Sequence, residues 1–154
     1  NEALQNGTLA GYPIVDLKVR FFDGKSHDVD SSEMAFKIAA SMCLKKGMKD
    51  EDPILLEPVM NMEIIVPEEV MGDVMGDLNT RRGRVQGTES ERGNTVIMAH
   101  VPLAEMLRYT TNIRSITGGR GYFTMEFDRY EIVPQHLAED IISAHKKELA
   151  EKDE

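Results

Sequence analysis

A chain of 154 residues, 41% hydrophobic and 29% charged, has the composition of an ordinary soluble globular protein, with enough length for one domain or two small ones. No apolar run reaches the roughly 20 residues that cross a bilayer, and the single cysteine, Cys43, excludes an internal disulfide and suits a reducing cytoplasm. The net charge of −9 argues against a nucleic-acid partner when taken whole. Its distribution does not: residues 1–80 carry 15 acids against 7 bases, whereas Arg81 to Arg129 holds 8 arginines, no lysine and 5 acids. Arginine's planar fork pairs with phosphate bidentately and stacks on bases, although surface ion pairs are the plainer reading of the same residues.

The chain opens at Asn1 without Met, and Glu2 to Gly7 reads like the last turn of a helix, so a piece of something longer is expected. Residues 14–22 alternate Val15, Leu17, Val19 and Phe21 with polar neighbours and predict a half-buried strand. Asp23-Gly24 marks a turn, and a polar loop follows. Asp30 with Glu33 three residues on makes a capping-box pattern for a helix. Met34, Ala35, Ile38, Ala39, Met42 and Cys43 form its apolar stripe, and Gly47 is expected to close it.

The charged run Lys49 to Pro53 predicts a domain boundary, giving 1–54 and 55–154. Met60, Met62, Ile64 and Val66 line one face of a strand. Pro67 opens a helix with Glu68 and Glu69 in its first turn and the stripe Val70, Met71, Val74, Met75 and Leu78. A strand around 84–88 pairs across Glu91-Arg92-Gly93-Asn94 with a stronger strand, 95–101. A second helix follows from Leu103, with Met106, Leu107 and Ile113 inward. Gly118-Gly119-Arg120-Gly121 is too glycine-rich to be helical, and Phe123, Met125 and Phe127 alternate in a last strand. This order, βαββαβ, predicts a ferredoxin-like α+β domain with two helices on one face of an antiparallel sheet. Pro134 opens a final helix with Leu137, Ile141 and Ala144 packing down, and the charged tail from Lys146 is expected to fray.

Chemistry-bearing groups are sparse. His27 beside Asp28 and Asp30 is a weak metal pattern, and Asp30 is better explained as a helix cap. Cys43 on an apolar stripe reads as core rather than nucleophile. His100, His136 and His145 have no catalytic spacing. The glycine cluster at 118–121 precedes a strand, whereas phosphate-binding loops follow a strand and open a helix, and no Gly-x-x-x-x-Gly-Lys-Ser/Thr run exists. Neither a catalytic nor a metal site is expected. Arg81-Arg82-Gly83-Arg84 either complements a helix dipole or offers a cationic corner to an RNA backbone.

The chain resembles elongation factor G over nearly all of its length. The resemblance rests on Leu9 to Pro13, His27 to Lys37, Leu55 to Pro58, Gly72 to Asn79 and Arg81-Arg82-Gly83. It continues through Val101 to Met106, Arg114-Ser115, and Gly119-Arg120-Gly121 with Thr124 to Phe127. Gly118-Gly119 departs from the bulkier polar residue that many relatives carry there. The resemblance implies that residues 1–54 are the C-terminal half of the fourth domain, a partial ribosomal-protein-S5-like βαβ unit whose tip loop spans 24–30. Residues 55–154 would then be the fifth, ferredoxin-like domain with its C-terminal helix.

By the same resemblance, Lys25, Ser26, His27 and Asp28 contact tRNA and mRNA at the decoding site of the small subunit. Arg81, Arg82, Arg84, Arg114 and Arg120 are candidates for contacting rRNA near the large-subunit stalk base. The implied role is tRNA–mRNA translocation by a cytoplasmic, monomeric translational GTPase without a membrane partner. GTP and Mg would bind in an N-terminal domain not contained here, so this segment needs no cofactor and is not itself an enzyme. Competing readings are a recycling-specialised paralogue, a ribosomal protection protein (disfavoured by the intact runs at 27–32 and 81–83), a ferredoxin-like module binding a small ligand, and a metal-dependent enzyme at His27, Asp28 and Asp30.

Overall fold

A computed structural model describes residues 2–28 and 31–152. Its elements in chain order are α1 (Glu33–Asp50), β1 (Leu56–Pro67), α2 (Met71–Thr80), β2 (Arg84–Glu91), β3 (Asn94–Pro102), α3 (Tyr109–Thr117), β4 (Tyr122–Ile132) and α4 (Gln135–Lys152). Short 3-10 turns at Glu2–Leu4, Glu68–Val70 and Leu103–Met106 complete them. Two compact units divide the chain: Leu56–Ile132, and Asn1–Leu55 together with Val133–Glu154. The last helix therefore groups with the first 55 residues rather than with the sheet.

The sheet unit is antiparallel with strand order β2-β3-β1-β4. This is the ferredoxin-like α+β arrangement that the order of elements predicts. Side chains on a strand alternate faces, so Met62, Ile64 and Val66 of β1 and Ile97, Ala99 and Val101 of β3 share one side. They are buried there against Val74 and Leu78 of α2 and Tyr109 and Ile113 of α3. Burying each large aliphatic side chain contributes about 1.5–3 kcal/mol, so this layer holds the unit together. The expected start of α2 at Pro67 is instead the end of β1, and a 3-10 turn intervenes before the helix.

Backbone conformation fixes the connections. Arg92 and Gly93 both have positive φ, as a two-residue hairpin turn of type I′ requires. At the end of α2, the Gly83 N–H donates to Leu78 O at 2.8 Å and the Arg82 N–H to Asn79 O at 3.2 Å. Those two bonds make a Schellman cap, with Arg82 at φ +59 in the left-handed position that glycine usually takes. Gly83 cannot be replaced freely, since a Cβ there would lie 2.7 Å from Leu78 O.

Two bulges interrupt the ladders. Val85 and Gly87 pair with Ala99 and Met98, leaving Gln86 extra. Phe127 and Arg129 pair with Met60 and Val59, leaving Asp128 extra. Beyond Asp128 the facing of β4 shifts by one residue. Arg129 and Glu131 thus join the side of the sheet away from the helices.

The other unit departs from expectation. No strand forms at 14–22: a lone alternating segment has no neighbouring strand to satisfy its backbone, and Val15, Leu17, Val19 and Phe21 are exposed. α1 forms but buries none of its residues, so Met34, Ile38 and Met42 lie open and Cys43 is exposed rather than core. Gly47 does not close the helix, which continues to Asp50. The N-cap is Ser32, and the expected cap Asp30 lies outside the described residues. α4 runs to Lys152 because Lys, Glu and Ala are strong helix formers, so the tail does not fray where expected. Its Leu137 and Ile141 are partly buried, while Ala144 is exposed. No described helix is long and apolar enough to cross a membrane.

Candidate nucleic-acid interface

Lys25, Ser26, His27 and Asp28 are all exposed. Ser31 anchors their loop by holding both backbone polar groups of His27. Its Oγ accepts from the His27 N–H at 2.6 Å, and its own N–H donates to the His27 carbonyl at 3.1 Å. The next residue, Ser32, accepts from the Ala35 N–H at 3.1 Å and so caps α1. Consecutive serines therefore fasten the loop end and start the helix. One turn on, Glu33 pairs with Lys37 at 3.1 Å, an exposed i,i+4 contact worth little.

The arginines split into engaged and open groups. Arg81 reaches the Asp77 carboxylate with Nε at 2.8 Å and the Glu105 carbonyl with Nη1 at 2.8 Å, and lies 5.3 Å from the ring centre of Tyr109. Arg82 grips Glu57 with two prongs, 2.7 and 2.8 Å, and meets Glu105 with Nε at 3.0 Å. Hydrogen bonding to Glu57 raises the Arg82 pKa further above its ordinary value; burial opposes this and Glu105 adds to it. Both side chains are largely covered, and all the donors described so far face protein. Arg81 and Arg82 thus tie the end of α2 to β1 and to the turn before α3.

Arg84 pairs with Glu131, and Arg129 pairs with Asp128 and, at 2.5 Å, with Glu131. Hydrogen bonding from Arg84 is the main cause that holds the Glu131 carboxyl below its usual range, with burial opposing and Arg129 reinforcing. His100 joins this line at 3.7 Å from Asp128 and 3.5 Å from Arg129. Arg84, His100, Arg129 and Glu131 share the side of the sheet away from the helices, and the Asp128 bulge is what turns Arg129 and Glu131 to it. Arg120 is exposed and paired with Glu69 at 2.5 Å. Arg114 is exposed, with no ion pair among the described residues.

Of the five candidate arginines the structure thus gathers Arg81 and Arg82 in one corner and places Arg84, Arg114 and Arg120 elsewhere in the unit. Sequence reasoning missed the carboxylates that engage them. Glu57, Glu69, Glu105 and Glu131 lie 25, 51, 23 and 47 residues from their partners, a separation that no local pattern reveals.

The comparisons with known proteins bear on both parts of the chain. The family described as elongation factor G C-terminus matches residues 54–141. The family described as elongation factor G, domain IV matches residues 1–51. A crystal structure of a protein from Thermus thermophilus is similar at 44% identity and a TM-score of 0.84, covering 95% of this chain and 22% of that one. This chain thus spans about a fifth of that protein's length. With both matches in order along adjoining segments, and the predicted antiparallel sheet present, the chain belongs to the elongation factor G family, as its domain IV and C-terminal segment.

Proposed function

We propose that this chain is the ribosome-engaging end of a translational GTPase that moves tRNA and mRNA, acting in the cytoplasm. The observation that carries this reading is the ordered match to two elongation factor G segments over residues 1–51 and 54–141. The tip loop is suited to the work. Lys25, Ser26, His27 and Asp28 present polar groups to solvent while Ser31 holds the backbone at His27. Such groups hydrogen-bond a nucleic-acid backbone by shape, as a factor indifferent to codon sequence requires. The sheet unit would lie against large-subunit rRNA. GTP hydrolysis would occur in a domain of the longer protein, and this chain alone is expected to hydrolyse no GTP.

The test is single-turnover mRNA movement driven by the full-length protein, with and without His27→Ala. Slow movement with normal GTP hydrolysis is the expected result. A parent that splits ribosomes without moving mRNA would instead be a recycling factor. An unaltered rate in His27→Ala would remove the tip loop from the mechanism.

A further inference from the structure

The unit formed by Asn1–Leu55 and Val133–Glu154 holds a cleft of about 680 Å³ between the C-terminal half of α1, the helix α4 and the turn at residues 6–11. Lys45, Lys46 and Lys49 of α1 and His145 of α4 line it, and among the described residues no Asp or Glu does, in a chain whose net charge is −9. The three lysines are exposed, and the one lysine with an ion pair among the described residues is Lys37, held by Glu33. At 100° per residue, positions 42, 45, 46 and 49 fall within about 100° of the circumference of α1. The helix dipole favours lysine at any angle in the last turn, so it does not account for three lysines on one face.

Backbone bonds fix the facing wall. The Gly7 N–H donates to Tyr12 O at 2.8 Å, the Gly11 N–H to Gly7 O at 3.2 Å and the Ile14 N–H to Leu4 O at 2.8 Å. Gly11 has φ +71, and a Cβ there would lie 2.8 Å from the His145 ring, so only glycine lets the imidazole pack against this turn. Three ammonium groups on one face repel one another, and a ligand with several negative charges relieves that repulsion. The cleft has the size of small-molecule pockets, about 300–1,000 Å³. Walled on three sides, it suits a compact anion better than the continuous track that an RNA strand requires.

We propose that this cleft binds a small molecule carrying a di- or triphosphate group, held by Lys45, Lys46 and Lys49, with His145 and Thr8 at its edge. The proposal goes beyond the ribosome reading above and does not depend on it.

The test is titration of the chain with pyrophosphate and with ADP, followed by calorimetry and by amide NMR. Saturable binding at one site per chain is expected, with shifts concentrated at Thr8, Gly11, His145 and residues 45–49. Tighter binding of ADP than of pyrophosphate assigns a nucleotide as the ligand; equal binding assigns a free oligophosphate, and both orders support the site. Lys45→Ala, Lys46→Ala and Lys49→Ala together are expected to weaken pyrophosphate binding by about tenfold or more. Alanine preserves the helix, which circular dichroism checks. The same three positions changed to arginine are expected to keep binding. Lys18→Ala, Lys37→Ala and Lys147→Ala together remove equal charge outside the cleft and are expected to leave binding unchanged. Absence of saturable binding by either probe at millimolar concentration overturns the proposal. So does an equal loss from the second alanine triple, or shifts spread over all exposed lysines, since both mean an adventitious ion only. Tighter binding of hexauridylate than of either probe at the same residues means an RNA track, which overturns the small-molecule assignment.

Discussion

Arg82 and Glu57 form a two-pronged ion pair, at 2.7 and 2.8 Å, that joins the C-terminal cap of α2 to the first residues of β1. Arg82 reaches it from a left-handed backbone conformation, which costs on the order of 1 kcal/mol and persists because its surroundings fix it.

Breaking this pair is expected to destabilise the sheet unit. Glu57→Gln should cost about 1–2 kcal/mol, since a charged hydrogen bond is lost at a partly solvated site. Urea unfolding of Glu57→Gln, Arg82→Ala and the double variant gives the coupling directly. Strict additivity of the two single effects would show that the pair does not hold the corner.

Glycine substitutions should divide by position. Gly83→Ala drives a Cβ to 2.7 Å from Leu78 O and should cost more than 1 kcal/mol, because backbone rather than a pliable side chain must yield. Gly72 and Gly76 lie within α2, and a Cβ at either meets nothing within 4 Å. Alanine there should stabilise by about 0.5–1 kcal/mol. Denaturation midpoints for the three variants check the contrast, and a common sign would refute it.

Tyr109 is fully buried, its ring set edge-on to Phe123, and its hydroxyl has no hydrogen-bond partner among the described residues. Removing an unsatisfied buried hydroxyl relieves a desolvation cost, so Tyr109→Phe should leave stability unchanged or raise it by about 1 kcal/mol. A loss of 1 kcal/mol or more in thermal unfolding would mean that the hydroxyl is satisfied after all, for instance by an ordered water.

Glu131 sets an acid dependence. Its pKa is depressed in the folded state, chiefly by Arg84, so its contribution is present above the ordinary carboxylate range and is lost as pH falls through the lower folded value. Carbon-detected NMR titration should place its ionisation below that of a free glutamate, and Arg84→Ala should move it back up. No movement in that variant would remove Arg84 as the cause.

The sheet unit was legible because both of its periodicities survive in the residues. Met62, Ile64 and Val66 alternate on a strand that really has one buried face, and Val74 and Leu78 recur on a helix that packs onto it. The same rules misread the first unit. Val15 to Phe21 alternate just as clearly, and Met34, Ile38 and Met42 recur just as well, yet they stay open. Periodicity reports which face could be buried; burial also needs a facing layer. At the candidate interface the cationic island was visible, but its division was not. Whether an arginine faces solvent or a glutamate decades of residues away depends on the fold, which is why Arg81 and Arg82 looked like Arg114.

The extra residue Asp128 gives β4 two reading frames. Up to Phe127 the odd positions face the helices, and from Tyr130 the even positions do. Across the junction the two phases cancel, and for that reason the alternation in the sequence stops at Phe127 although the strand continues to Ile132. The phase slip also sets Asp128 and Arg129 side by side on the surface that His100 shares, a density of charged groups that an uninterrupted strand cannot reach at successive positions.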